Sequence, residues 1–223
     1  MLWQILQTTD STFPVGGFAH SFGLEGMTLA GKIETGADLE QFLTGTWADL
    51  LAHIDFPLVR LCVASAEDDT RLFTLDDLAS ACRATAEGRK AQQQMGRQRL
   101  KLTAELSGHP RLFALHQAAE KDAWRANWPS VWGVEAACLN IAMPSALAAY
   151  GYQSVNGLLT ASAKLIRIGP TEIQKTLYRC RPAIESAIET SLTVTEGEIG
   201  WFTPMLDIAG ACHETAYTRL FMS

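Results

Sequence analysis

The chain has 223 residues, with 18 Lys plus Arg against 24 Asp plus Glu and a formal net charge of −6 at pH 7. A chain this long buries a substantial core without disulfide or metal staples, and its 48 % apolar content is that of a globular protein. The acidic balance argues against nucleic acid, whose phosphates demand a basic face, and no run of 18 or more apolar residues is available to span a bilayer.

The first ten residues, MLWQILQTTD, place no Lys or Arg before their short apolar run. They lack the basic start and small-residue cleavage site of a signal peptide, so a cytoplasmic location is expected. Residues 10–25, DSTFPVGGFAHSFGLE, mix Gly, Pro, aromatic and charged residues. Gly16 and Gly17 predict a tight turn. They do not form a phosphate loop, because G-x-x-x-x-G-K-[ST] is missing here and elsewhere. Ser21 sits in AHSFG, where Ala19 replaces the first glycine of a nucleophile elbow.

Helical periodicity follows. From Asp38, apolar residues at Leu39, Phe42, Leu43, Trp47, Leu50, Leu51 and Ile54 recur in steps of three and four, one stripe of a helix. Pro57 is expected to end that helix or to start the next. The T-x-x-D of Thr74 and Asp77 predicts a helix start. That helix would carry Leu78, Ala81 and Cys82 and run on through Met95, Leu100 and Leu102, bending near Gly88 or Gly96. Arg83, Arg89, Lys90, Arg97, Arg99 and Lys101 gather along it. With few aromatics among them, they read as a solvated or protein-docking face. Asp68-Asp69 and Asp76-Asp77 read as helix-end carboxylates that complement the helix dipole.

Pro110 and Pro129 open two further stripes, and Pro144 predicts a break. Ser154 predicts the cap of a helix carrying Val155, Leu158, Leu159 and Leu165, stopped by Gly169-Pro170. Thr171 and Gln174 predict a capping box for the stripe of Ile173, Leu177, Cys180, Ile184 and Ile188. Only residues 191–195 are β-prone, too few for a sheet. The fold class is therefore all-α, a single-domain bundle of roughly eight to ten helices spanning 1–223, with a C-terminal segment that docks.

That segment, residues 197–223, carries Trp201, Phe202, Met205, Tyr217, Leu220 and Phe221. So much apolar surface must dock on its own domain or on a partner. His213-Glu214 lacks the second histidine of H-E-x-x-H, since Tyr217 stands there. Cys212 and His213 are soft ligands suited to nickel or zinc, but two ligands do not close a site. The remaining histidines, His20, His53, His109 and His116, have no ligand spacing, and the five cysteines form no C-x-x-C. The residues thus favour a binding protein. The alternative is a small-molecule or metal-dependent enzyme on a helical bundle, using His20, Ser21 or His213.

Four patches carry a family resemblance. Residues 10–25 resemble the N-terminal signature of UreF urease accessory proteins, D-S-x-x-P-x-G-G-[FY] followed by S-x-G-L-E, at Asp10, Ser11, Pro14, Gly16, Gly17, Phe18, Ser21, Gly23, Leu24 and Glu25. QMGRQRLKL is similar to the family's M-G-R-x-L element at Met95, Gly96, Arg97 and Leu100. ASAKLIRIGPTEIQ resembles its A-x-[KR]-L-x-x-x-G element at Lys164, Leu165 and Gly169, followed by Gln174. The end of the chain resembles the family C-terminus at Pro204, Ile208, Ala209, His213, Glu214, Tyr217, Arg219, Leu220, Phe221 and Ser223. Pro170 departs from the family, which usually has Gln there.

The resemblance implies an all-α, non-catalytic accessory protein that joins UreD (also called UreH) and the GTPase UreG. That assembly delivers nickel to apo-urease and couples delivery to GTP turnover. It also implies a homodimer within the complex, no stably bound cofactor, nickel in transit at most, and no nucleic-acid or membrane partner. The partner-binding residues it implies are Pro14, Gly16, Gly17, Phe18, His20, Ser21 and Glu25 near the N-terminus, Arg97, Lys164 and Gln174 in the middle, and His213, Glu214, Tyr217, Arg219, Leu220 and Phe221 at the end.

Overall fold

The computed structural model describes residues 2–222; Met1 and Ser223, the last residue of the C-terminal motif, lie outside the described residues. Ten helices, one of them with two π turns, two separate 3-10 turns and no strand are found in the described chain. The fold is all-α, as the periodicity predicts.

Helix α1 (Leu2–Thr9) leads into the signature segment, and α2 (Leu24–Leu29) follows it. Helix α3 is one continuous rod over residues 36–64, with π turns at Leu43–Trp47 and Leu51–Asp55. Thr35 caps it: its hydroxyl accepts the Asp38 N–H and Asp38 answers from its side chain. All seven apolar residues of the predicted stripe are buried. Pro57 neither ends nor starts this helix. It has no N–H to offer one turn back, and the freed His53 carbonyl instead accepts the Gly200 N–H at 3.1 Å. Trp201 then stacks on the His53 ring, centroids 4.1 Å apart.

Next come α4 (Asp69–Ala81), α5 (Ala86–Ser107), α6 (Pro110–Glu120), α7 (Trp128–Cys138), α8 (Met143–Leu165), α9 (Pro170–Ser191) and α10 (Pro204–His213). Proline stands in the first turn of five of these, where a missing N–H costs nothing. The C-terminal half of α3 packs on α7, and α5 packs on α6 and α7. Helices α8 and α9 pair, and α10 lies against α2.

Several local expectations are corrected. Helix α4 starts earlier than Thr74, because Asp68 caps it by accepting the Arg71 N–H at 3.0 Å. Thr74 bonds back to the Thr70 carbonyl inside the helix. The chain does not run on into α5. It breaks after Ala81 and restarts with Thr85 as cap, its hydroxyl 3.0 Å from the Gly88 N–H. Asp76 is not a helix-end carboxylate. It is buried in α4 and accepts from the Ala126 and Asn127 backbone and the Asn127 amide, which fastens the loop before α7. Ser154 lies within α8, where its hydroxyl accepts the Trp47 indole N–H at 3.0 Å. Helix α8 ends at Leu165, and Gly169-Pro170 opens α9 instead of stopping α8. Gly169 is then the N-cap and no side chain caps α9, so Thr171 and Gln174 make no capping box.

Arg99 is the largest departure. It is not on a solvated face but fully buried, with Nε 2.7 Å from Glu135 Oε2. Its Nη1 donates to the Thr8 carbonyl at 3.0 Å, and its guanidinium lies 3.6 Å from the Trp132 ring centroid. Burial lowers the pKa of Arg99 and raises that of Glu135, and their pairing opposes both shifts.

Candidate functional site

The two terminal segments singled out in the sequence meet each other. Gly16 and Gly23 adopt left-handed backbone at φ 78° and 86°, a conformation glycine reaches without penalty. Gly23 precedes α2, so Glu25 falls in that helix's first turn, pointing at the end of the chain. Helix α10 buries Leu206, Ala209 and His213, spaced as one helical face, against the rest of the fold.

Glu25 is the hub. Its buried carboxylate accepts the Leu220 N–H at 2.8 Å, the Phe221 N–H at 3.0 Å, and lies 2.9 Å from His213 Nε2. Three partners satisfy a group that would otherwise be costly to bury. Glu87, in the first turn of α5, meets the other side of the ring at 2.9 Å from Nδ1 and also pairs with Arg219. Glu214 accepts the Glu87 N–H at 3.1 Å. The Met222 N–H donates to the Ala19 carbonyl at 2.7 Å. The buried Phe221 ring forms part of the wall of a crevice that Phe13, Val15, Met95 and Trp128 also line, with the Lys164 ammonium 5.3 Å from its centroid.

The tail therefore docks on its own domain, but only in part. Tyr217 is fully exposed, and Leu220 and Met222 project outward. On α10, Met205 and Ile208 face solvent opposite the buried face, and Trp201 and Phe202 precede them, Phe202 81 % exposed. These are large apolar side chains left exposed along the C-terminal segment.

Of the remaining predicted residues, Pro14, Gly16 and Phe18 are exposed and His20 and Ser21 are buried. The Ser21 hydroxyl accepts the Glu25 N–H at 3.3 Å. Burial lowers the pKa of His20, while a bond to Gln94 and the charge of Glu87 oppose the shift. Gly17 rests on Met95: a Cβ on it would lie 3.4 Å from the Met95 methyl. Arg97 is half-buried and faces its own chain, donating to the Arg125 carbonyl at 3.2 Å and to Asp122 at 2.8 Å. Gln174 is exposed on the first turns of α9, remote in sequence from either terminus. Cys212 is exposed while His213 is buried with both ring nitrogens engaged, so the two do not converge as a ligand pair. Among the described residues no three His, Cys, Asp or Glu side chains form a metal-binding group, and no helix is long and apolar enough to cross a membrane.

Glu87 was missed by the sequence reading. Its local sign is an acidic residue two positions after a threonine cap, but nothing in its spacing points to His213, 126 residues away.

The UreF family model matches residues 33–181. A urease accessory protein UreF of Actinobacillus pleuropneumoniae is 30 % identical over 224 residues, covering all of this chain and 99 % of the relative. Those of a Marinomonas species and an Azoarcus species are 32 % and 33 % identical, each across the whole of this chain and 94 % and 95 % of the relative. Both terminal segments thus fall within the aligned length of the relatives although they lie outside the family model.

Proposed function

We propose a function that proceeds from one premise: the chain belongs to the UreF family of urease accessory proteins. It acts as a non-catalytic scaffold in urease maturation. It binds the accessory protein UreD (UreH) and the GTPase UreG, as a homodimer within a cytoplasmic complex, and couples GTP turnover in UreG to nickel delivery into apo-urease. Nickel is cargo of that assembly and not a resident group of this chain.

The observation that carries the partner reading is the C-terminal surface. Trp201, Phe202, Met205, Ile208 and Tyr217 are exposed on a segment whose opposite face is anchored to the fold. Aromatic side chains on a pre-ordered support are the composition of interface hot spots. Because the support is already docked, binding orders few further residues, which lowers its entropic cost.

Tyr217 makes the cleanest test, since it touches nothing in this chain that its removal would disturb. Tyr217→Ala is expected to weaken the complex with UreD/UreH by about 2 kcal/mol, roughly 30-fold in Kd, with an unchanged unfolding transition. Calorimetric titration measures it; equal affinity of variant and parent would remove Tyr217 from the interface. Phe221→Ala is expected to weaken the same complex through tail docking, because its ring is buried in the chain's own core.

A further inference from the structure

Helix α9 has two unlike sides. Thr176, Cys180, Ile184 and Ala187 are buried on the side that packs toward α3 and α8. Along the outer side Gln174, Tyr178, Arg181, Glu185, Ile188 and Leu192 recur in steps of three and four and form one line. All but the half-buried Ile188 are exposed, Tyr178 by 75 % and Leu192 by 54 %. Beside the line runs an apolar groove between α8 and α9, lined by Ala148, Gly151, Tyr152, Val155, Ile184 and Ile188. A Cβ on Gly151 would lie 2.8 Å from the Ile184 side chain, so the two helices approach closely there. The line also has a centre. Arg181 and Glu185 lie equally far from Ala183 along the chain, as do Tyr178 and Ile188, and Gln174 and Leu192. The groove straddles the same point, since its α9 residues run from Leu177 to Ile188. Within the chain Arg181 and Glu185 pair at 2.7 Å with both side chains more than half exposed. Such a pair contributes little and is easily re-made with other partners.

We propose that this face of α9, with the groove beside it, binds a second copy of the chain, its α9 antiparallel about a two-fold axis at Ala183. The inference rests on the homodimer of the preceding reading and names the surface that forms it. A two-fold interface is isologous, so one patch must be its own complement. The charge order of α9 meets that condition. An antiparallel copy sets Arg181 against the partner's Glu185, and Glu185 against the partner's Arg181. The same register brings Tyr178 to the partner's Ile188, at the end of its groove, and Leu192 to the partner's Gln174. Tyrosine at such a place has the character of an interface anchor. A parallel copy would instead set like charge on like charge at both positions. A partner of other sequence gives no reason for opposite charges to be mirrored about the point on which the groove is centred.

Size-exclusion chromatography with light scattering reads the dimer of the full chain over a concentration series. Arg181→Glu and Glu185→Arg each place like charges across the axis twice. Each should raise the dimer Kd at least about tenfold. The double variant restores opposite charges and should return to the parental Kd. The two single variants, mixed, should form a mixed dimer, because each then meets only the opposite charge. Tyr178→Asp should dissociate the dimer through the groove. These side chains are exposed, so each variant should keep the parental unfolding transition. A parental dimer that neither reversal weakens overturns the proposal and leaves the homodimer standing. So does a failure of both the double variant and the mixture to recover it. Reversals that keep the dimer but remove UreD/UreH or UreG from the complex would give the groove to that partner and also overturn the proposal. A parent chain that is monomeric throughout, alone and with both partners present, would remove the homodimer and this surface together.

Discussion

Arg99→Ala should lose about 3–5 kcal/mol of unfolding free energy, the cost of stranding one member of a buried ion pair. Against the roughly 5–15 kcal/mol that holds a typical domain folded, that is a large share. The guanidinium is 1 % exposed, and its removal leaves Glu135 buried without its main donor. Apart from Arg99, only the Thr103 hydroxyl stands by to satisfy that carboxylate. The loss reaches α1 as well, since Arg99 donates to the Thr8 carbonyl, as does the Gln153 amide at 3.3 Å. Urea unfolding reads the effect as a shift in midpoint. The double replacement Arg99→Met with Glu135→Leu should recover most of it, because apolar residues of similar volume fill such sites without a desolvation cost. A shift below about 1 kcal/mol for Arg99→Ala would mean that water replaces the guanidinium and that the pair is not sealed.

Gly26→Ala should separate the C-terminal helix from its support while leaving the bundle folded. A Cβ at Gly26 would lie 2.3 Å from the Ala209 carbonyl oxygen and 2.7 Å from its carbon. Those are backbone atoms, so no rotamer change relieves the overlap and α10 must move off α2. Overpacking of this kind costs about 1–3 kcal/mol. Here it falls on the contact that aims His213 at Glu25. We expect protease cleavage within residues 199–213, and binding of UreD/UreH weakened at least about tenfold, roughly 1.4 kcal/mol. Parent-like cleavage and affinity would show that α2 and α10 separate without consequence.

These two sites also mark what could be read from the sequence. The stripe from Leu39 to Ile54 was legible because seven apolar residues on a three-four spacing have one place to go, the core, and all are buried. The prolines at 110 and 129 marked helix starts, and the one at 144 a break in the pattern, for an equally local reason. Arg99 was not legible. On α5 it stands among Arg97, Lys101 and other polar residues, and its partner Glu135 is 36 positions away on α7. Only the packing of α5 on α7 makes it a core residue. Helix ends failed for a different reason: Thr74 and Ser154 have the chemistry of caps, yet tertiary packing carries the helices through both. At the terminal site, Glu25 and His213 were named through the resemblance. Their contact across 188 residues and the part played by Glu87 come only from the way α2, α5 and α10 converge.

The central claim is that the anchored C-terminal segment presents the surface by which this chain scaffolds its partners. Co-expression with UreD/UreH and UreG, followed by size-exclusion chromatography with light scattering, tests it most directly, for the full chain and for a chain ending at residue 213. Such a truncation leaves α10 in place on α2 and removes Tyr217, Arg219, Leu220 and Phe221. The account predicts a defined complex with the full chain and its loss with the shortened one, both chains remaining folded. Co-elution of the shortened chain with both partners, at the mass of the intact complex, would contradict it.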